Sequence, residues 1–156
     1  MDRMEAQMVA REQIGFLEDV STRLEKSGRF ESIELTDDAV LRCKASGAAE
    51  DAWYTLAMTG DGMEVALLTL DRWLSESIEA DLVHNGDTME ELVEEELVDL
   101  GGSGPVPVIK HYRSEQMEYT FSMELPGDLE LEDATRWVLA WEAAFNQLGD
   151  MSESEQ

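Results

Sequence analysis

Apolar side chains recur at helical spacing through the first 28 residues. Val9, Phe16, Val20 and Leu24 make a stripe with Ile14 and Leu17 beside it, and Glu5, Arg11, Glu12, Asp19, Arg23, Glu25 and Lys26 cover the other side. No proline interrupts this stretch, and Gly28 offers a stop, so one helix is predicted over 2–28. After it the period shortens to two. Phe30, Ile33 and Leu35 lead into a turn cluster, Thr36-Asp37-Asp38. Strands are then predicted over 39–45, closed by Ser46-Gly47, over 53–58, and over 63–70. The last two are joined by Thr59-Gly60-Asp61-Gly62, a tight-turn signal, and the three strands are expected as an antiparallel meander. Met63, Val65 and Leu67 fall on one face of the third strand, and Ala66, Leu68 and Leu70 on the other. Both faces are apolar, which predicts a central strand covered on both sides.

Helical spacing returns in the middle of the chain. Ser75 or Ser77 is the expected cap of a short helix bearing Ile78, Leu82 and Val83, broken at Asn85-Gly86. Thr88 followed three residues later by Glu91 is a capping box, and Met89, Val93, Leu97 and Leu100 form the stripe of the helix it opens. Gly101-Gly102 ends that helix and starts a loop that runs to Pro105. A strand is predicted over 106–112, with Pro107 marking an edge or a strand start. Beyond the turn Ser114-Glu115-Gln116, Met117, Tyr119, Phe121, Met123 and Leu125 alternate with Glu118, Thr120, Ser122 and Glu124, the pattern of a strand between core and solvent. After Pro126-Gly127-Asp128, Glu132 or Asp133 opens a last helix, striped by Ala134, Trp137, Trp141, Ala144, Phe145 and Leu148 and ended by Gly149. Taking the middle helical stretch as one element, the expectation is an α+β fold with an antiparallel sheet in the order α-β-β-β-α-β-β-α. One domain is expected over 1–150, followed by a short polar tail over 151–156.

Charge changes the picture most. Thirty-six acidic residues against eleven basic ones leave a formal net charge of -25. Such a chain repels nucleic acid and anionic membranes and attracts basic protein surfaces. Lysine is confined to Lys26, Lys44 and Lys110, a scarcity that also fits adaptation to a salty cytoplasm or plain solubility. No apolar run approaches the roughly 20 residues of a membrane helix. Met1-Asp2-Arg3-Met4-Glu5 carries no signal segment, so a cytoplasmic location is expected. The single cysteine, Cys43, forbids an internal disulfide; it is expected buried in its strand, with Arg42 and Lys44 pointing to the opposite face.

Candidate chemistry is sparse. His84 and His111 stand outside any motif, and a catalytic histidine needs an orienting partner and a reacting one. Gly101-Gly102-Ser103-Gly104 lacks the lysine and the following helix of a phosphate loop, and Asp81 to Asp87 lacks the ligand spacing of a calcium loop. Glu90, Glu91, Glu94, Glu95 and Glu96 form a solvated acidic helix face without a rigid ligand cage. No catalytic, cofactor or metal residue is singled out, and the expected role is not enzymatic. The aromatic stripe Trp137, Trp141, Phe145 admits two readings: core packing of the last helix, or a surface for a partner or a dimer mate. Val106 and Val108, on the predicted edge strand, join these three as interface candidates.

The element order resembles the type III secretion chaperone-like fold, and the C-terminal part resembles the YbjN family of bacterial proteins. The resemblance rests on Val106-Pro107-Val108-Ile109-Lys110-His111-Tyr112-Arg113 as that family's fourth strand, 117–125 as its fifth and 133–148 as its closing helix. It covers most of the chain as architecture and the last third as sequence. It implies a homodimer and a protein-binding role, either as a chaperone that holds an extended stretch of a client or as a regulator, with no catalytic residues and no cofactor. The expected function is therefore a protein-binding module, chaperone-like or regulatory. Two alternatives stay open: an acidic decoy for basic nucleic-acid-binding proteins, and an enzyme with an unrecognised carboxylate site.

Overall fold

The computed structural model describes residues 3–45, 52–59, 62–86, 88–102, 105–115 and 117–148. Helix α1 (Arg3–Ser27) leads into four consecutive strands, β1 (Phe30–Leu35), β2 (Val40–Ala45), β3 (Ala52–Thr59) and β4 (Gly62–Thr69). Two helices follow, α2 (Arg72–Asn85) and α3 (Met89–Asp99), then the hairpin β5 (Lys110–Arg113) and β6 (Tyr119–Pro126), and last α4 (Leu131–Phe145). The α+β class and the antiparallel sheet stand. The order differs from the expected one in two places. Phe30–Leu35, whose apolar residues lead into a turn, is itself a strand paired with β2, and the two helices read in the middle stretch, counted there as one element, are separate elements.

Local chemistry explains the boundaries. Gly28 takes a left-handed φ of 69° and ends α1. Asp71, not a serine, caps α2: its carboxylate accepts from the Trp73 and Leu74 amides. Ser75 therefore sits inside the first turn. At α3 the capping box is complete, with Glu91 N donating to Thr88 Oγ1 at 3.1 Å and Thr88 N to Glu91 Oε1 at 2.9 Å. Its other end is a Schellman pair, Gly102 N to Leu97 O at 2.8 Å and Gly101 N to Val98 O at 2.9 Å. The strand predicted over 106–112 begins late. Only Lys110–Arg113 pairs with β6, and 105–109 lead up to it outside the ladder, where Pro105 and Pro107 have no N–H to donate. Residues 46–51, 60–61, 87, 103–104, 116 and 149–156, on which several predicted turns, the last helix stop and the polar tail fall, lie outside the described residues.

The six strands run β1-β2-β3-β4-β6-β5, every neighbour antiparallel. Thr59 pairs with Gly62, so two residues separate β3 from β4. Among the described residues all four helices lie on one face of this sheet. From α1, Leu17, Val20 and Leu24 are buried, and from α4 Ala134, Val138, Trp141, Ala144 and Phe145; they meet Leu41, Cys43, Tyr54, Leu56, Val65, Leu67, Phe121 and Met123 from the strands. Phe145 packs edge-on to Phe121 and Tyr54. Helix α3 packs on α4 and adds Met89, Val93 and Leu97, and α2 adds Leu74 and Ile78. Cys43 is buried as expected, and burial pushes its thiol up to about 12.

The strand β4 is central, lying between β3 and β6. Among the described residues it is covered on one side only. Met63, Val65 and Leu67 enter the core, but Ala66 and Leu68 belong to a face that no helix covers among the described residues, and Leu70 just beyond is exposed. Apolarity on both faces of a strand indicates low hydration of both, not which element supplies the cover.

Candidate functional site on the uncovered face of the sheet

Strand register sets the side chains of this face in rows. Val40, Ala57, Glu64 and Glu124 form one row, Arg42, Thr55, Ala66, Ser122 and Lys110 the next, and Lys44, Trp53, Leu68, Thr120 and Tyr112 the third. At the centre of the middle row stand three small residues, Thr55, Ala66 and Ser122, only 6%, 2% and 2% exposed because taller neighbours rise on both sides. The result is a concavity of about 760 Å³ floored by Thr55 and Ala66 and walled by Val40, Glu64 and Leu68, among others. Leu70 and Tyr112, both exposed, extend its apolar surface.

The charges around it are uneven. Asp38, Glu64 and Glu118 line the concavity with one cation, Arg42. That guanidinium lies 4.3 Å from the centroid of the Trp53 ring and bonds Glu34 at 3.4 Å. Glu64 directly opposes Glu124 across β4 and β6, and Lys110 reaches Glu124 at 3.5 Å. Partial burial raises the Glu64 carboxyl above its ordinary value; the Glu124 charge raises it further and Lys110 pulls it back. Like charges directly opposite on one sheet face are unfavourable, and with two carboxylates beside the single Lys110 ammonium this row stays net negative.

The sequence-predicted interface residues go elsewhere. Trp141 and Phe145 are fully buried, with ring centroids 5.1 Å apart, and Trp137 is 8% exposed. The helical spacing that gathers them into a stripe is the spacing that turns them onto the sheet, so core packing claims them. Val106 is half-buried against the core, and Val108 is 75% exposed in the approach to β5. The structure does not gather the five into one surface. The small-residue floor was not legible as a site, because alternating threonine and serine in β3 and β6 indicates solvent contact. The available signal was the apolar set Ala66, Leu68 and Leu70.

His111 acquires the partners its sequence context does not show. Its Nδ1 lies 2.7 Å from Glu79 Oε2 and its Nε2 3.1 Å from Ser75 Oγ, while the ring stacks on Phe121 with centroids 3.9 Å apart. The bonding order serine, histidine, carboxylate is that of a nucleophile relay. Here the serine is 2% exposed, inside the first turn of α2. The arrangement instead fastens the edge strand β5 to α2. Among the described residues no three His, Cys, Asp or Glu side chains converge to hold a metal ion, and no helix is long and apolar enough to cross a membrane. Comparison of the chain with protein-family models, with curated proteins and with solved structures gives no match.

Proposed function

We propose that this chain is a protein-binding module, chaperone-like or regulatory, that holds a segment of a partner protein against the uncovered face of its sheet. The single observation that carries the reading is that face: a central strand presents Ala66 and Leu68 in a concavity of about 760 Å³ with no helix over it among the described residues. A sheet face with apolar residues at its centre gains stability when something covers it. The resemblance to the YbjN family and the secretion-chaperone fold supports the same role, and it adds a homodimer in the cytoplasm as part of the proposal.

The test is a tagged pull-down from the native host, washed at low and then high salt, in parallel with Leu68→Asp. One or two stoichiometric partners should survive the high-salt wash and be lost from the variant, while circular dichroism shows the variant folded. A broad set of basic proteins that vanishes in the wash would favour the decoy instead, because attraction between exposed charges is screened over about 8 Å at physiological ionic strength. Sedimentation at micromolar concentration tests the dimer, and a strict monomer would remove the support that the resemblance lends.

A further inference from the structure

We infer that the uncovered face of the sheet is the seat of a cationic amphipathic helix supplied by the partner protein. This rests on the protein-binding reading and specifies the chemistry of the occupant.

Geometry selects a helix. The backbone N–H and C=O groups of β2, β3, β4 and β6 are already directed at neighbouring strands on both sides, so an extended segment laid across the face finds no ladder to join. Strand addition belongs to the edges, β1 and the four-residue β5. Sheet faces are covered by helices or by a second sheet. The trough over Thr55, Ala66 and Ser122 has walls two residues away in each direction along the strands. At about 3.3 Å per residue the backbones of those two rows are roughly 13 Å apart, and their side chains bound a shallow groove. A single helix with its side chains, about 10–12 Å across, laid over the middle row reaches both flanking rows and covers the small-residue floor between them.

Charge selects the sign of that helix and argues against a second copy. Asp38, Glu64 and Glu118 line the trough and Glu124 stands beside Glu64, while the cations Arg42, Lys44 and Lys110 of this face are already engaged by Glu34, Glu31 and Glu124. A lysine or arginine flanking the partner's apolar stripe would sit against Glu64 and Glu124 and relieve their mutual repulsion. An anionic helix would meet four carboxylates. A second copy of this chain would bring the same four carboxylates, on a body whose net charge is also -25.

The test uses the full chain, ¹⁵N-labelled, titrated with three synthetic peptides of about five turns. The first is an amphipathic leucine-lysine helix, the second the same pattern with glutamate for lysine, the third a scramble of the first. The leucine-lysine helix should shift the amides of Thr55, Ala66, Leu68 and Ser122 and gain helicity on binding. Its affinity should fall about tenfold in Glu64→Lys, which reverses the charge, and about tenfold in Ala66→Arg, which fills the trough. Thermal denaturation of both variants checks that they fold, and Glu64→Lys alone suffices if Ala66→Arg does not. Equal binding of the scramble, shifts confined to the helical layer, or unchanged affinity in the folded variants would overturn the inference. Shifts of the same amides by the glutamate peptide would overturn its charge and leave the protein-binding reading intact. No shift with any peptide overturns the inference as well, and the protein-binding reading then stands or falls on the partners that survive the high-salt wash.

Discussion

Tyr54 is a core residue with a polar end. Its ring packs against Phe30 and Phe145, and its hydroxyl is buried without a hydrogen-bond partner among the described residues. Burial first, and the nearby Glu142 charge second, hold the phenol well above its ordinary value, so the group stays neutral and still unpaired. A buried unmatched hydroxyl costs about 1–3 kcal/mol. Tyr54→Phe keeps the ring and removes that cost, and should raise the unfolding free energy by about 1 kcal/mol in a denaturant titration. A loss of stability would mean that the hydroxyl is hydrogen-bonded in solution. Glu64 gives a pH prediction of defined sign. Its folded carboxyl lies above the ordinary value, so between the ordinary carboxylate range and neutrality the native state binds more protons than the unfolded state, and its contribution to stability falls as pH rises. Glu64→Gln is uncharged throughout. It should be more stable than the parent at pH 7, and the gap should close below the ordinary carboxylate value of 4.5. Unfolding curves of both proteins across that range check it; a gap that widens in acid would mean that Lys110 holds Glu64 more strongly than burial and Glu124 oppose it.

Among the elements, the edge hairpin depends on one side chain. The strand β5 pairs with β6 alone, and His111 ties it to α2 through Glu79 and Ser75 while stacking on Phe121. His111→Ala removes two hydrogen bonds and a ring contact, a loss of about 2 kcal/mol at typical values. Amide exchange should report it locally: protection of 110–113 should fall, while the β3–β4 ladder, two strands inside, should exchange as in the parent. Equal loss in both would show that the edge does not open independently. These elements also show how far the sequence is legible. The α3 capping box and its Gly101-Gly102 stop are chemical signals local to a few residues, and both appear where expected. The cap of α2 is not Ser75 or Ser77, because Asp71 about one turn before Ser75 takes the cap and the fold turns Ser75 to His111. The strand β1 was missed as a strand because its exposed edge carries Glu31 and Glu34 among its apolar residues, which dilutes a two-residue period. The uncovered face was invisible for a further reason: periodicity says that both sides of β4 shun water, and only the sum of the helix positions shows which side the described residues leave open.

At the scale of the molecule, charge sets two responses that run in opposite directions. With thirty-six acids and eleven bases, the chain carries twenty-five negative charges in excess, so the folded state repels itself. Screening relieves this. The screening length falls from about 10 Å at 0.1 M to about 3 Å at 1 M salt, and each kcal/mol of relieved repulsion should raise Tm by about 2–4 °C for a chain of this size. Thermal melts should therefore climb with sodium chloride, and by more than in a neutral osmolyte such as sucrose, which acts by exclusion from the surface and not by screening. The ion pairs that hold the open face, Arg42–Glu34, Lys44–Glu31 and Lys110–Glu124, are all partly exposed and weaken in the same salt, but exposed pairs contribute little each. A Tm that stays flat or falls would mean that these pairs outweigh the surplus repulsion. If the melts climb, the salt that steadies the fold also weakens the attraction between its carboxylates and a cationic helix. The apolar floor at Ala66 and Leu68 then decides how much of the binding survives.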